Sequence, residues 1–143
     1  MKTVTQRSNC PVSFSLDLLG DKWTLLILRD MMLNEKSSFS EFMSSDERIA
    51  SNILVDRLNV LHSYGFVTKH TSLLNKSKFL YTLTDKSIDL VPVVIELILW
   101  GEKHNQKGEP RAILSKVLKN KTRTIKEIQE KLRKKRDESE VIE

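Results

Sequence analysis

The chain has 143 residues, of which 39% are hydrophobic and 30% are charged, and this predicts a single domain with a modest core and an appendage. Its one cysteine excludes an intrachain disulfide framework and a multi-cysteine zinc site. The sequence has no run of about 20 apolar residues for a membrane span and no apolar signal-peptide core near its start, so we expect a cytoplasmic protein.

The net charge of +5 is distributed unevenly. Residues 1–110 carry 13 basic and 13 acidic side chains, whereas residues 111–136 carry 11 and 2, and the last seven residues carry four acids. The overall basic balance is therefore only a weak indication that the first part of the chain binds nucleic acid.

The first predicted helix begins at Cys10-Pro11, because proline suits the first helical turn, and apolar residues recur at helical spacing as far as Gly20. A second helix begins near Asp21 and is rich in leucine and isoleucine on nearly all sides. We expect it to be the central core helix, with Trp23 in the core or at a subunit boundary.

A short helix is predicted next, because Ser38 followed by Glu41 is the capping-box pattern. Its buried side is predicted to consist of Phe39, Phe42 and Met43. Residues 44–47 cannot continue an apolar face and predict a turn, in which Ile49 is the lone apolar residue and is expected to enter the core.

The helix after this turn has two different faces. The apolar face, spaced by four and three, is Leu54, Leu58 and Leu61, and Gly65 is expected to end the helix in a left-handed cap. The opposite face has short, mostly polar side chains suited to base edges in a major groove, and it consists of Ser51, Asn52, Val55, Asp56 and Asn59. These five are the predicted base-reading residues, and the alternative is an ordinary solvated face.

Arg57 on the same helix is expected either to contact phosphate or to bridge structurally to an acid in the first turns of the chain. Beyond Gly65 the period changes to two, which predicts two strands, at residues 66–72 and 78–83. Their tip is polar and basic, and Lys76 and Lys78 are expected to contact the DNA backbone, adding affinity without sequence information. A helix-turn-helix followed by such a ribbon is a winged helix.

A further helix is predicted from a cap at Thr84-Asp85 to Trp100, with a kink at Pro92. It is apolar nearly all round, and one small domain cannot cover such a helix on every side. Burial against a second copy in a two-fold homodimer is the simplest solution.

The remainder is predicted to be a polar linker followed by a basic helical segment that starts at Pro110. Thr124 and Glu127 form a second capping-box pattern. The segment is predicted either as one helix with a defect at Lys121 or as two short helices broken near Lys121-Thr122. The predicted organisation is thus an N-terminal arm (1–9), a winged helix-turn-helix DNA-binding and dimerisation domain (10–104) and a basic helical C-terminal extension (105–143).

Several short motifs occur in a characteristic order and spacing. They are Cys10-Pro11, Gly20 through Arg29, Phe39 through Phe42, Arg57-Leu58, Leu61, Gly65-Phe66-Val67, Tyr81 through Thr84, Pro92-Val93-Val94 and Trp100-Gly101. In these residues the chain resembles the HxlR-type family of bacterial transcriptional regulators, over roughly residues 10–104.

The resemblance implies a mainly α fold with a small β-wing, related to MarR proteins, that binds operator DNA. It also implies a homodimer formed through the N-terminal and C-terminal helices. One departure concerns the start of the recognition helix, where this chain has Ala50 and Ser51 in place of the serine and proline usual in the family. The cap is therefore predicted to shift to Ser51.

Cys10 is the one candidate for chemistry, because the positive end of a helix dipole favours the reactive thiolate. The resemblance implies a redox-sensing role, since several relatives carry a cysteine here that responds to quinones, aldehydes or disulfide stress. With one cysteine per chain, a switch requires an intersubunit disulfide, a mixed disulfide with a small thiol, or an adduct with a small electrophile. The alternative is a small buried residue at a helix start.

The leading hypothesis is a homodimeric, sequence-specific regulator that binds near-palindromic double-stranded DNA. The alternative is a winged-helix interaction module that binds a protein, RNA or membrane partner through the basic tail. An enzyme is not expected, and neither is a cofactor or metal, because the three histidines have no ligand spacing with one another or with Cys10 and there is no glycine-rich phosphate loop.

Overall fold

The computed structural model describes residues 3–105, 107–108 and 111–142. They fall into two compact units, Met1–Thr84 and Asp85–Glu143. The first unit contains α1 (Pro11–Leu19), α2 (Lys22–Leu33), α3 (Phe39–Met43), α4 (Ser51–Ser63), β1 (Val67–Thr71) and β2 (Phe79–Leu83). The second contains α5 (Asp85–Ile88), α6 (Val91–His104), α7 (Ala112–Lys119) and α8 (Lys121–Ile142).

The predicted mainly α architecture with a two-stranded antiparallel wing is confirmed. The predicted domain boundaries at residues 9/10 and 104/105 stay a prediction. The first two residues of the predicted arm, and the predicted helix start at Pro110, lie outside the described residues.

The core of the first unit is organised around α2, as predicted. Asp21 caps this helix by accepting hydrogen bonds from the N–H groups of Trp23 (2.8 Å) and Thr24 (3.2 Å). The helix buries Thr24, Ile27, Leu28, Asp30, Met31 and Met32. Trp23 is only half-buried, so the aliphatic and methionine side chains of α2 fill the core.

Helix α1 leaves its apolar side chains uncovered in this chain. Cys10 is its N-cap and Pro11 its first residue, as predicted, but none of its nine residues is buried. The exposed apolar side chains are Val12, Phe14 and Leu16. Val12 and Leu16, four residues apart, share one side of the helix and form a short apolar stripe, whereas Phe14 lies on another side. Apolar side chains left uncovered in this way mark an interaction surface.

The predicted kink at Pro92 is wrong. Helix α5 ends at Ile88 and α6 begins at Val91, so Pro92 lies in the first turn of a new helix. A proline there disturbs nothing, because the first N–H groups of a helix have no intrahelical partner. Helix α6 buries Val91, Val94 and Ile95 and leaves exposed a second stripe, spaced by four and three, of Val93, Leu97 and Trp100.

The C-terminal segment forms two helices separated at Asn120, but the second has 22 residues and is not short. The predicted capping box at Thr124 and Glu127 is wrong. The side chain of Asn120 accepts a hydrogen bond from the N–H of Arg123 at 3.1 Å, whereas the buried Thr124 hydroxyl donates to the carbonyl oxygens of Lys116 and Asn120. Thr124 therefore lies inside α8 and joins it to α7.

Helix α8 packs against α5 and α6 through both apolar and polar contacts. Leu132 is buried, and Gln129 donates a hydrogen bond to the carbonyl of Ile88 at 3.1 Å. Lys121 pairs with Glu96 on α6 at 2.7 Å. The basic segment is thus part of the second unit's packing, while many of its lysines remain on the outside. Among the described residues, no helix is long and apolar enough to cross a membrane.

Candidate nucleic-acid interface

Helices α3 and α4 and the turn between them form the predicted helix-turn-helix. The capping box of α3 is confirmed, because the Ser38 hydroxyl accepts from the N–H of Glu41 and the Glu41 carboxylate accepts from the N–H of Ser38 at 3.1 Å. Burial acts to raise the pKa of Glu41, but hydrogen bonds from the Ser38 hydroxyl and the backbone of Ser37 and Ser38 outweigh it and lower that pKa. The carboxylate is therefore held in its ionised, accepting form.

One expectation about the buried side of α3 is wrong. Phe42 is fully buried, but Phe39 is exposed. Phe39 is the first residue of this five-residue helix and lies outside the surface that Phe42 packs against. Ile49 enters the core as predicted. The turn is thus held to the core by Phe42 before it and by Ile49 near its end.

A buried polar cluster attaches this turn to the end of α2. Asp30 is 3% exposed, and its carboxylate accepts hydrogen bonds from Arg29 (2.8 Å), from Asn34 (2.9 Å) and from the Ser45 hydroxyl. Arg29 also donates to Glu47 at 2.7 Å and 3.0 Å. The hydrogen bond to Glu47, and then that to Asp30, raise the pKa of Arg29 despite its partial burial. Ser45 and Glu47 both belong to the turn, so the cluster sets where α4 begins.

The sequence interpretation missed this cluster, although a signal for it was present. Asp30 is an acid near the end of an otherwise apolar helix, and a charge at such a position is nearly always paired when it is buried.

Helix α4 has the two faces that the sequence predicted. Leu54, Leu58 and Leu61 are all buried, and the helix is followed by Gly65 in a left-handed conformation (φ 76°). Ser51, Asn52, Val55 and Asn59 are exposed, and Asp56 is half-buried. The structure therefore places all five predicted base-reading residues on the side of α4 away from the core, and four of them are exposed.

The predicted shift of the cap to Ser51 is wrong. Ala50 is the N-cap of α4 and Ser51 is its first helical residue, with no side chain capping the helix. The methyl side chain of alanine cannot accept a hydrogen bond, so the free N–H groups of the first turn depend on solvent or an external acceptor. A helix N-terminus in this state suits a phosphate oxygen.

Arg57 takes the structural one of its two predicted roles. It donates to Asp21, the N-cap of α2, at 2.9 Å and to its neighbour Asp56 at 2.5 Å. Burial acts to raise the pKa of Asp21, but the bond from Arg57 and those from the α2 backbone outweigh it and lower that pKa. The ion pair joins the outer side of α4 to the start of the core helix and positions Asp56 at the edge of the exposed face.

The wing is an antiparallel pair in which Val67 lies opposite Leu83 and Thr71 opposite Phe79. It is attached to the segment just before α3 by a hydrogen bond from the N–H of Tyr81 to the carbonyl of Ser37 at 2.8 Å. Lys76 and Lys78 lie exposed at the wing tip, which we define as residues 72–78. The wing and the helix pair thus present their accessible side chains from one compact unit.

The residues predicted as a polar tip, Asn75 through Lys78, are exposed, and the wing tip defined here also includes the exposed Leu73 and Leu74. Two adjacent leucines interrupt the alternation just before Asn75, and that interruption was the signal available in the sequence.

Cys10 is exposed, so the alternative of a buried helix-start residue is wrong. The arm that precedes it is connected to α4 and to α1. The N–H of Val4 donates to the hydroxyl of Tyr64, the C-cap of α4, at 2.9 Å, and Arg7 pairs with Asp17 on α1 at 2.7 Å. Residues of the arm, α1, the start of α2 and α4 line an open cavity of about 430 Å³.

Across the residues that the structure describes, no group of three or more His, Cys, Asp or Glu side chains could hold a metal ion. The exposed side chains that the sequence singled out lie on α4, at the wing tip and at Cys10.

Comparisons with known proteins agree with this geometry. The model of the HxlR-like helix-turn-helix family matches residues 18–109. The HTH-type transcriptional regulator YybR of Bacillus subtilis (strain 168), itself uncharacterized, is 31% identical over 98 residues, which are 68% of this chain and 78% of YybR.

Solved structures show the same fold. The redox regulator HypR in its oxidized form is 31% identical and superposes with a TM-score of 0.60 over 68% of this chain and 99% of HypR. The quinone-bound YodB from B. subtilis is 28% identical, with a TM-score of 0.51 over 66% of this chain and 98% of YodB.

Proposed function

This chain belongs to the HxlR-like helix-turn-helix family, and we propose that it is a transcriptional regulator that binds a near-palindromic operator as a homodimer. The observation that carries the proposal is the accessible polar face of α4, held in one unit with a wing whose tip bears two exposed lysines. We propose a regulatory and not a catalytic role, without a cofactor and without attachment to a membrane.

In this proposal α4 enters the major groove. Asn52 and Asn59 carry amides, which pair in a bidentate manner with adenine, and Val55 supplies an apolar contact for a thymine methyl group. The Ser51 hydroxyl accepts a hydrogen bond from a base or donates one to it. Asp56, which is held in place by a hydrogen bond from Arg57, accepts from a cytosine amine. These contacts specify the sequence.

Affinity without sequence information comes from the DNA backbone. The uncapped N–H groups at the start of α4 receive one phosphate, and Lys76 and Lys78 contact phosphates beside the wing. Because lysine contacts release counterions, this part of the affinity falls as the salt concentration rises.

The homodimer is supported by two apolar stripes that the chain leaves uncovered, Val12 and Leu16 on α1 and Val93, Leu97 and Trp100 on α6. A two-fold dimer of a helix-turn-helix protein places its recognition helices in successive major grooves, about 34 Å apart. The operator is therefore proposed to have half-sites separated by one helical turn.

We further propose that modification of Cys10 controls DNA binding. The similarity to HypR, a redox regulator, and to YodB, solved with a bound quinone, supports this, as does the exposure of the thiol. When a quinone adds to the thiolate, a sulfur–carbon bond forms, and the ring takes up a proton and becomes a hydroquinone thioether. A bulky group on the N-cap of α1 displaces the arm, which is bonded to Tyr64 at the end of α4.

Replacing Asn52 with alanine is expected to relax the preference for one base and to weaken operator binding by about 10- to 100-fold, since a bidentate pair contributes about 1–3 kcal/mol of discrimination. The test is selection of bound DNA from a random duplex pool at near-physiological salt, first with the unmodified chain and then with the variant.

The matched control for this test is Asn9→Ala, because Asn9 is an exposed asparagine that is not part of α4. It is expected to recover the same DNA motif as the unmodified chain. Recovery of an unchanged motif by Asn52→Ala as well would contradict base reading at this position.

The second candidate function is an interaction module that docks through its basic tail. It is supported by the charge excess in residues 111–136 and by the exposure of Lys126, Lys134 and Lys135 on α8. Truncation is a poor test, because α8 buries Leu132 against its own unit. Replacing the three lysines with glutamine keeps the packing; if this abolishes partner binding while Asn52→Ala does nothing, the tail is the binding surface.

Replacing Cys10 with serine is expected to leave operator affinity unchanged and to abolish its loss on treatment with a quinone or a thiol oxidant. Serine keeps the size of the side chain but does not form the adduct or the disulfide. The measurement is DNA binding by fluorescence anisotropy before and after treatment, with mass spectrometry of the treated protein. A variant that is still inactivated at equal oxidant dose would rule out sensing at Cys10.

A further inference from the structure

The wing tip carries an apolar surface that the proposed function does not use. Leu74 is 99% exposed and Leu73 is 74% exposed, and the two are adjacent at the end of the ribbon. Single exposed leucines are common on protein surfaces. Two neighbouring leucines on the wing tip expose apolar area whose burial against a partner is favourable.

The leucines are held on an ordered tip. The N–H of Ser72 donates to the carbonyl of Lys78 at 2.8 Å, and the N–H of Lys78 donates to the carbonyl of Asn75 at 2.9 Å. The Asn75 side chain accepts from the N–H and the hydroxyl of Ser77, and the N–H of Leu74 donates to the Ser72 hydroxyl at 3.3 Å. A tip ordered in this way presents its side chains without a large loss of conformational entropy on binding.

The wing tip extends beyond the point at which the ribbon is attached to the helix pair. Tyr81, in the middle of β2, bonds to Ser37, and Leu80 pairs with Ser38, the N-cap of α3, so residues 72–78 lie beyond this attachment. A protein that places α4 in a major groove therefore directs this tip toward the neighbouring minor groove.

The charges around the leucines identify the kind of partner. Residues 67–83 contain three lysines and one histidine and no acidic residue. Lys69 lies over the ring of Phe79, 4.1 Å from its centroid, and Lys76 and Lys78 lie exposed on the tip itself. A tip that combines exposed leucines with exposed lysines fits a polyanion that has apolar faces inside it, which describes the phosphates and stacked bases of a minor groove.

We propose that Leu73 and Leu74 form an apolar wedge that enters the minor groove beside the site of α4 and partly unstacks one base step. This rests on the proposed DNA-binding function and adds deformation of the DNA to it. Wedges of this type kink duplexes by roughly 20–90°, and pyrimidine–purine steps unstack most easily. The wedge thus adds a sequence preference outside the bases that α4 reads.

The experiment uses the full chain and the duplex that the unmodified protein recovers from a random pool. Affinity, its dependence on salt, and DNA bending, by energy transfer between dyes at the duplex ends, are measured for the unmodified chain and for Leu73→Ala/Leu74→Ala. Leu74→Met keeps an apolar side chain and serves as the rescue. Leu118→Ala is the matched control, because Leu118 is a leucine outside the wing that is 71% exposed.

The double variant is expected to bind about tenfold more weakly per leucine removed, which is about 1.4 kcal/mol each, and to lose the bend. Its salt dependence is expected to stay unchanged, because leucine releases no counterions. Lys76→Ala is expected to do the opposite, lowering the salt slope by about one and keeping the bend. Leu74→Met in an otherwise unmodified chain is expected to retain bending, and Leu118→Ala to change nothing.

Three outcomes would overturn the wedge. If the double variant keeps both the bend and an affinity within twofold of the unmodified chain, DNA binding stands and the wedge fails. If the unmodified chain recovers no motif, the proposed function and the wedge both fail. If the double variant loses binding to vesicles of phosphatidylglycerol and phosphatidylcholine but binds and bends DNA normally, the tip serves an anionic membrane surface instead.

Discussion

Replacing both Leu97 and Trp100 with aspartate is expected to convert the protein to a monomer and to weaken its binding to a two-half-site operator by about 10²- to 10⁴-fold. Trp100 is 68% exposed and Leu97 is 50% exposed on α6, so neither side chain belongs to the buried core of its own chain. Association would bury the two new carboxylates in the centre of an apolar interface, where they are desolvated and unpaired, and this opposes dimer formation. A monomer then loses the avidity that comes from linking two reading heads.

The measurements are sedimentation equilibrium for the oligomeric state and anisotropy titration with the selected duplex. Leu118→Asp is the matched control, because it makes the same apolar-to-acid change at a leucine of α7 that is also exposed. A dimer that persists in the double variant, with operator affinity retained, would place the subunit contact elsewhere. Affinity for a single half-site should be equal in all three proteins, which separates loss of the dimer from damage to α4.

Replacing Asp30 with alanine is expected to lower the free energy of unfolding by about 3–5 kcal/mol, because removing one member of a buried charge pair leaves its partners unsatisfied. The partners concerned are Arg29, Asn34 and the Ser45 hydroxyl. For a chain of this length the melting temperature should fall by roughly 10–20 °C. Because the same cluster holds the turn before α4, the remaining folded protein should also bind the operator more weakly.

Urea unfolding followed by circular dichroism measures the first effect, and operator titration at a temperature where the variant is folded measures the second. Asp46→Ala is the control, since Asp46 is an acid in the same turn but is exposed, and its removal should cost less than about 0.5 kcal/mol. Equal stabilities for the two variants would mean that the cluster contributes little to holding the turn.

Recognition helix α4 illustrates how much local sequence determined. The leucine spacing gave the buried face and, by exclusion, the exposed one, because helical period alone decides which residues share a side. The capping box at Ser38 and Glu41 and the glycine stop at Gly65 were equally readable. Each depends on residues within a few positions of one another, whose interactions do not require the rest of the fold.

Other features depended on segments far apart in the chain. Arg57 was equally compatible with a phosphate contact or a structural bridge until the fold brought it to Asp21, 36 residues earlier. Thr124 matched a capping box, yet α7 and α8 buried it and assigned the cap to Asn120. Pro92 matched a kink, yet the break between α5 and α6 placed it in a first turn.

The sequence by itself therefore determined the element types, the winged-helix order, the exposed side of α4 and the family, because these follow from periodicity and short-range chemistry. The tertiary structure alone decided that Asp30 organises the turn, that Arg57 is a brace and that α1 and α6 keep apolar stripes uncovered. It also decided that Leu73 and Leu74 are exposed on the wing tip. Those properties are differences in burial and pairing between distant residues, and they exist only once the chain has folded and each side chain has acquired its neighbours.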